Sequence, residues 1–490
     1  AGLDVGSHPS YSLAPGQVLG GGGTVFAQQL RVPTAAALDP GDGVGTLTIA
    51  GSLLLDAFGP AGAGLHFELT GDPIGANDLI DVTNDLRVVG NHVVQVVPVD
   101  NQLAPGDYPL FTYGGSLNLG LGSLQVVNST RLSMALDTAV PGIITLGIGG
   151  LPEDLIWNGQ PTNNNWDINN SVNWINSGGG ADVFFDLDNV TFNDSATRFT
   201  VDVVQNVRPG SVLFDNSAND YTIVGTGSIL GGAPLTIQGG GRVTMQIQSE
   251  FSSVDVPSGT LEVGASGLVA AKGNADIGPS GVLQLNAGEL QASQINVLTG
   301  GQITGSGKIV GNTTIGEIVG SGTAVLSPGF SPGTIEIEGD LELENTAETV
   351  IEISGMSGNP HDLVAVTGTA TLDGTLRLEA IDGYAIQAND QYTVVTSGSV
   401  FKDVDPIRSG DMFLWPTYDG AHVTLSVGMA GDMDLDGFVD ENDIGLFAFA
   451  LRDNDAYDDE LHPTGHEAAD MSGNGRVDFG DISLFAEDVQ

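Results

Sequence analysis

A mainly β fold is predicted: Gly-rich β-solenoid or β-sandwich modules, followed by a small α-helical C-terminal domain. Three observations predict it. Thr, Val, Ile and Leu recur in short alternating runs broken by glycine, which supplies 72 of the 490 residues. Lysine is confined to Lys272, Lys308 and Lys402, whereas exposed helices use Lys and Glu freely. From residue 431 the composition turns acidic, with 17 acids and two arginines over residues 431–490.

The first module is assigned to residues 1–150 and has a second copy at 303–430. Leu38-Asp39-Pro40-Gly41 and Gly45-Thr46-Leu47 match Leu326-Ser327-Pro328-Gly329 and Gly333-Thr334-Ile335. Each is followed by an alternating strand, Leu47 to Leu55 and Ile335 to Leu343. Asp78-Leu79-Ile80 matches Asp362-Leu363-Val364, and Asp107-Tyr108 matches Gln391-Tyr392, both at one offset. Period-2 alternation sets Leu47, Ile49, Leu53 and Leu55 on one face of their strand. The Pro-Gly turns stop each strand. One such sheet cannot bury its apolar face alone, so it must stack on further layers or form a sandwich.

Between the copies lie a Trp- and Asn-rich segment, 151–225, and a run of short Gly-broken strands, 226–302, read as solenoid rungs. Trp157, Trp166, Trp174 and Tyr221 form a candidate platform for stacking sugar rings; the competing expectation is that they fill the end of a β-core. The run from Ile156 to Trp174, with Ala181 to Asp194 after it, resembles the start of bacterial autotransporter-associated, passenger-like β-repeat proteins. The strand motif from Leu326 to Leu343 is similar to the Pro-Gly repeats of the same secreted proteins. The resemblance spans roughly 17–428; it implies a secreted β-solenoid or surface protein and names no reaction.

The tail carries the clearest chemistry. Asp432, Asp434, Asp436, Asp440 and Asp443 stand at positions 1, 3, 5, 9 and 12 of a twelve-residue loop, with Gly437 at position 6. Asp470, Ser472, Asn474, Asp478 and Asp481 repeat the pattern around Gly475. Calcium takes six to eight hard oxygens in flexible geometry, and the carbonyls of Phe438 and Arg476 supply one more each. Two calcium ions are therefore expected, the first loop binding more tightly for its larger number of carboxylates. Val439 and Val477 are expected to join the loops through a β-bridge. Ile444, Phe447 and Leu451, then Ile482, Phe485 and Val489, form two helical stripes that should pack together. The paired loop-helix units resemble dockerin modules. Two features depart from that pattern. The insertion around Ala456 to Thr464 is long, and the partner-recognition positions hold Glu441-Asn442 and Phe479-Gly480 rather than matched hydroxyl pairs. The resemblance thus implies calcium binding and leaves cohesin docking open.

Composition excludes several function classes. A formal charge of −48 opposes binding to nucleic acid or an anionic leaflet. No apolar run is long enough to span a bilayer. With no cysteine, disulfides and thiolate chemistry are out. Gly329-Phe330-Ser331-Pro332-Gly333 has the form of a nucleophile elbow, but its counterpart Gly41 to Gly45 has no serine. Gly305-Ser306-Gly307-Lys308 lacks P-loop spacing. His462 and His466 are separated by Pro463 and Gly465, which suits a loop better than a zinc-binding helix face. Glu250, Asp255, Glu262, Asp276 and Glu289 read as single, dispersed acids, not a hydrolase pair.

The expectation is therefore a non-enzymatic, secreted structural protein of the bacterial cell surface or extracellular matrix. Ala1 is read as the product of signal-peptide cleavage. End rungs that add strands, and the C-terminal module, would join copies head to tail into a homopolymer or to other surface proteins. The alternative is a carbohydrate-binding or cohesin-docking component of a secreted assembly.

Overall fold

A computed structural model describes residues 2–6, 9–57, 64–119, 122–159, 163–317, 322–355, 361–387, 390–401, 407–409, 412–434, 438–453, 468–472 and 476–489. The chain is mainly β, with two α-helices among the described residues, both in the tail. It divides into two compact units, Ala1–Leu213 with Gly225–Leu235 and Glu250–Ser252, and Phe214–Val224 with Thr236–Ser249 and Ser253–Gln490.

In the first unit, strand Thr46–Ala57 lies parallel to Gly23–Pro33 on one side and to Leu79–Val82 and Leu86–Pro98 on the other. Leu47, Ile49, Leu53 and Leu55 all point into the core, as the alternation requires. In-register stacking sets Ile49 beside Val25 and Val82, and Leu55 beside Val32 and Val88. Phe67 and Phe111 meet edge to face in this core, at 5.4 Å between centroids. Gly106–Tyr113 continues the parallel ladder beside Leu79–Val82. Ile143–Gly149 and then Ser133–Asp137 join it antiparallel.

The Trp-rich segment is also core. Trp157, Trp166 and Trp174 have no exposed surface and pack with Phe184 and Phe192 at centroid distances of 5.0 to 5.9 Å. Arg131, from the first module, pairs with the fully buried Asp188 (2.8 Å) and with Asp182 (3.2 Å). Burial pushes the Asp188 carboxyl up despite this pairing. Asn101 donates to the carbonyls of Pro209 (2.8 Å) and Leu230 (2.9 Å).

In the second unit, one column of parallel partners runs Tyr221, Val243, Leu261, Leu283, Ile303 and Leu326, every member buried. Parallel neighbours lie about 4.8 Å apart, so each residue stacks on its equivalent in the next layer. The second copy then repeats the pairings of the first. Ile337 lies between Ile309 and Val366, and Val364 pairs with Val395. Gln391–Thr396 meets His422–Met429 antiparallel, and Met412–Tyr418 follows in the same sense. Both ladders thus end in antiparallel strands. At the other end of the first ladder, Val18–Gly20 pairs with Ala37–Asp39 in parallel.

Candidate metal centre in the acidic tail

The tail folds around its two helical stripes. Helix α1, Asp443–Arg452, and helix α2, Ile482–Asp488, bring Phe447 and Phe485 into a parallel stack, 4.0 Å between centroids and 9° between planes. Met433, Val439, Ala450, Ala469 and Met471 complete this small core. The Gly431 N–H donates to the Ala468 carbonyl (2.9 Å), linking the start of the first loop to that of the second. Val439 is buried and Val477 half-buried in the apolar cluster, but neither forms a β-bridge. The loops are joined by side-chain packing instead of the expected backbone pairing.

Within loop one, Asp432, Asp434 and Asp443 bring one carboxylate oxygen each to within 4.8 Å of one another. Asp432 and Asp443 are fully buried, whereas Asp434 is exposed. Asp443 sits at the start of α1. Its Oδ1 accepts the N–H groups of Met433 (2.6 Å) and Asp434 (3.1 Å), and its Oδ2 accepts that of Asp440 (2.8 Å). The position-12 carboxylate therefore closes its own loop. Asp440 in turn accepts the Asn442 N–H (2.7 Å). The Phe438 ring is exposed, and Asp436 lies outside the described residues.

Loop two has the same frame. Asp481 accepts the N–H groups of Ser472 (2.8 Å) and Asp478 (2.9 Å), and the Ser472 hydroxyl donates to Asp470 (3.2 Å). Asp470 and Asp481 are buried, Asp478 and Arg476 are exposed, and Asn474 lies outside the described residues. Among the described residues only loop one gathers three carboxylates. Three like charges, two of them buried, converge there, and all their ligand atoms are hard oxygens. That donor set fits calcium.

The other candidate sites fare differently. Trp157, Trp166, Trp174 and Tyr221 are fully buried, so no ring face is free to stack on a sugar. The aromatic-platform expectation is corrected on that ground: these rings supply apolar core. The Gly329–Gly333 turn is followed by strand Thr334–Glu338, not a helix, as its rejection as a nucleophile elbow requires. Lys308 lies within strand Gln302–Glu317 and pairs with Glu338 (2.6 Å). His462 and His466 lie outside the described residues.

The acids read as dispersed are in part neighbours. Asp255 stands directly beside Asp276 on the next strand, and burial followed by that charge pushes the Asp255 carboxyl up. Asn296 donates to Asp276 (2.7 Å), and Arg242 pairs with Glu262 (2.6 Å). No sequence period could have found these pairs, because they depend on the length of each layer. No helix among the described residues is long and apolar enough to cross a membrane. No family model matches the chain, and no curated protein matches it.

Proposed function

We infer that the chain is a secreted, non-enzymatic structural protein of a bacterial cell surface or extracellular matrix. In this reading its β-solenoid modules carry a dockerin-like, calcium-stabilised joint at the C-terminus. The observation that carries it is the convergence of Asp432, Asp434 and Asp443 beneath a two-helix module. Asp432, Asp434, Asp440 and Asp443 would hold the first ion, and Asp470, Ser472, Asp478 and Asp481 the second. Bound calcium supplies the positive charge that lets these carboxylates approach one another. The residues themselves fix the loops: Asp443 and Asp481 tie each turn to the helix that follows.

Between α1 and α2 runs a groove of about 440 Å³, edged by Ile444, Leu451, Ile482 and Val489. Its apolar lining supports the tail as the joint between copies. Size-exclusion chromatography and electron microscopy with and without chelator test the reading. Calcium-dependent polymers are expected; a calcium-independent monomer at high concentration would sink it. The same groove favours a second reading, docking to a different secreted protein. A pull-down in which the tail captures a partner while the purified chain stays monomeric would select it.

A further inference from the structure

Asp78 and Asp362 hold the same place in the two copies, and both are fully buried. In each, Oδ1 accepts the N–H of the glycine ending the Pro-Gly turn, Gly45 (2.7 Å) or Gly333 (2.7 Å). Oδ2 accepts the N–H of an acid on the neighbouring strand, Glu68 (2.7 Å) or Glu352 (2.9 Å). The backbone repeats the pattern. The Asp78 and Asp362 N–H groups donate to the carbonyls of Glu68 and Glu352, and those of Leu79 and Leu363 to Gly45 and Gly333. One carboxyl in each copy therefore fastens a turn and two strands.

Among the described residues no opposite charge offsets this burial. The charges acting on Asp78 are those of Glu68 and Asp39, and the charge acting on Asp362 is that of Glu352. An isolated buried carboxylate facing other anions is an expensive species, and a proton is the simplest way to relieve it.

We propose that Asp78 and Asp362 are matched proton-accepting clasps, which make both copies more stable in mildly acidic surroundings than at neutral pH. Burial, the largest influence, pushes both carboxyls from the ordinary 3.8 up to about 6, outweighing the pull of the two backbone N–H bonds. The unfolded chain stays ionised down to its lower value, so between the two values the folded state holds more protons. Stability therefore grows as pH falls through about 6 and is lost as pH rises through it. The clasps are independent of the calcium reading, since their hydrogen-bond partners Gly45, Glu68, Gly333 and Glu352 all lie outside the tail.

Burial also pushes Asp186, Asp188 and Asp255 up, so a pH curve for the whole molecule would mix several groups. The test is therefore local hydrogen exchange at the 41–45 and 329–333 turns, corrected for the intrinsic pH dependence of exchange. Between pH of about 7.5 and about 5.5, a clasp titrating near 6 should raise protection of its turn about fourfold. Asp78→Asn should abolish the rise at 41–45 and spare 329–333, and Asp362→Asn should do the reverse. No rise in the wild type, or a rise that survives at both turns in the matching variants, overturns the proposal. If either variant fails to fold, carboxyl-carbon NMR of the wild type decides. Titration of Asp78 and Asp362 near pH of about 6 supports the clasps, and midpoints of about 4 or below refute them.

Discussion

Replacing Trp166 by alanine should disrupt the fold of the first unit rather than any binding surface. The indole has no exposed area and touches Trp174, Phe184 and Phe192 at 5.4 to 5.5 Å between centroids. A buried tryptophan removes about 200 Å² from water, worth about 5 kcal/mol at ~25 cal/mol per Å². One contribution runs the other way. Among the described residues the Trp166 Nε1–H has no acceptor, and deleting an unpaired buried donor returns about 1 kcal/mol. The net loss is then about 4 kcal/mol, within the range measured for large aromatic-to-alanine changes.

The same reasoning orders two milder variants. Trp157 donates from Nε1 to the Arg198 carbonyl at 2.9 Å, so Trp157→Phe loses a hydrogen bond that Trp166→Phe never had. It should be the more costly by about 1 kcal/mol. Three of the four tryptophans sit in this cluster, so urea unfolding followed by tryptophan fluorescence reports it directly. A Trp166→Ala protein within about 1 kcal/mol of wild type would refute the core assignment. Equal costs for the two phenylalanine variants would refute the hydrogen-bond argument.

Removing calcium with a chelator should reduce the far-ultraviolet helical signal and abolish a separate tail transition; calcium at a hundredfold excess over Kd should restore about 2.7 kcal/mol to that transition. Asp443→Asn should mimic chelation even at saturating calcium, because an amide cannot accept N–H bonds on both of its atoms. Arg131→Met should cost about 3 kcal/mol in denaturant unfolding at neutral pH by stranding the buried Asp188. Part of that loss should return on acidification, since the Asp188 carboxyl, already pushed up by burial, can then take a proton. Gly305→Ala should destabilise the second unit by more than about 1 kcal/mol, because a Cβ there collides with the Leu285 carbonyl at a φ of +90°. A melting temperature equal to wild type would count against it.

Alternation and repeats were legible because they are local. Leu47, Ile49, Leu53 and Leu55 reveal their buried face through a period of two, and Phe447 and Phe485 reveal theirs through helical spacing. The recurrence of Asp78 as Asp362 was visible as well, but its role was not, since both carboxyl partners lie on other strands. Contacts across layers were the hardest to read. The register shifts within single strand pairings, as between Asn286 and Glu289 and between Gln291 and Gln294. The spacing of partners is therefore not constant, and no count along the sequence sets Asp255 beside Asp276. The tryptophans left two expectations open, a sugar platform and a filled β-core, and burial decides for the core, with the asparagines around them serving the backbone. Asn173, for example, donates to the Asn165 carbonyl (2.8 Å) and leaves the rings inside.

A structure assembled by laying each layer upon the last has no inherent finishing point. In this protein the finish is written into both copies, as a strand that runs the opposite way, Ile143–Gly149 in one and His422–Met429 in the other. A reversed strand breaks the like-on-like parallel stacking, because its hydrogen bonds alternate between close and wide pairs where those of the parallel layers are evenly spaced. Beyond it lie Ser133–Asp137 in the first copy, and Met412–Tyr418 followed by the short Ile407–Ser409 in the second. Where such an outer strand is short, it leaves little backbone on that side for another chain to pair with.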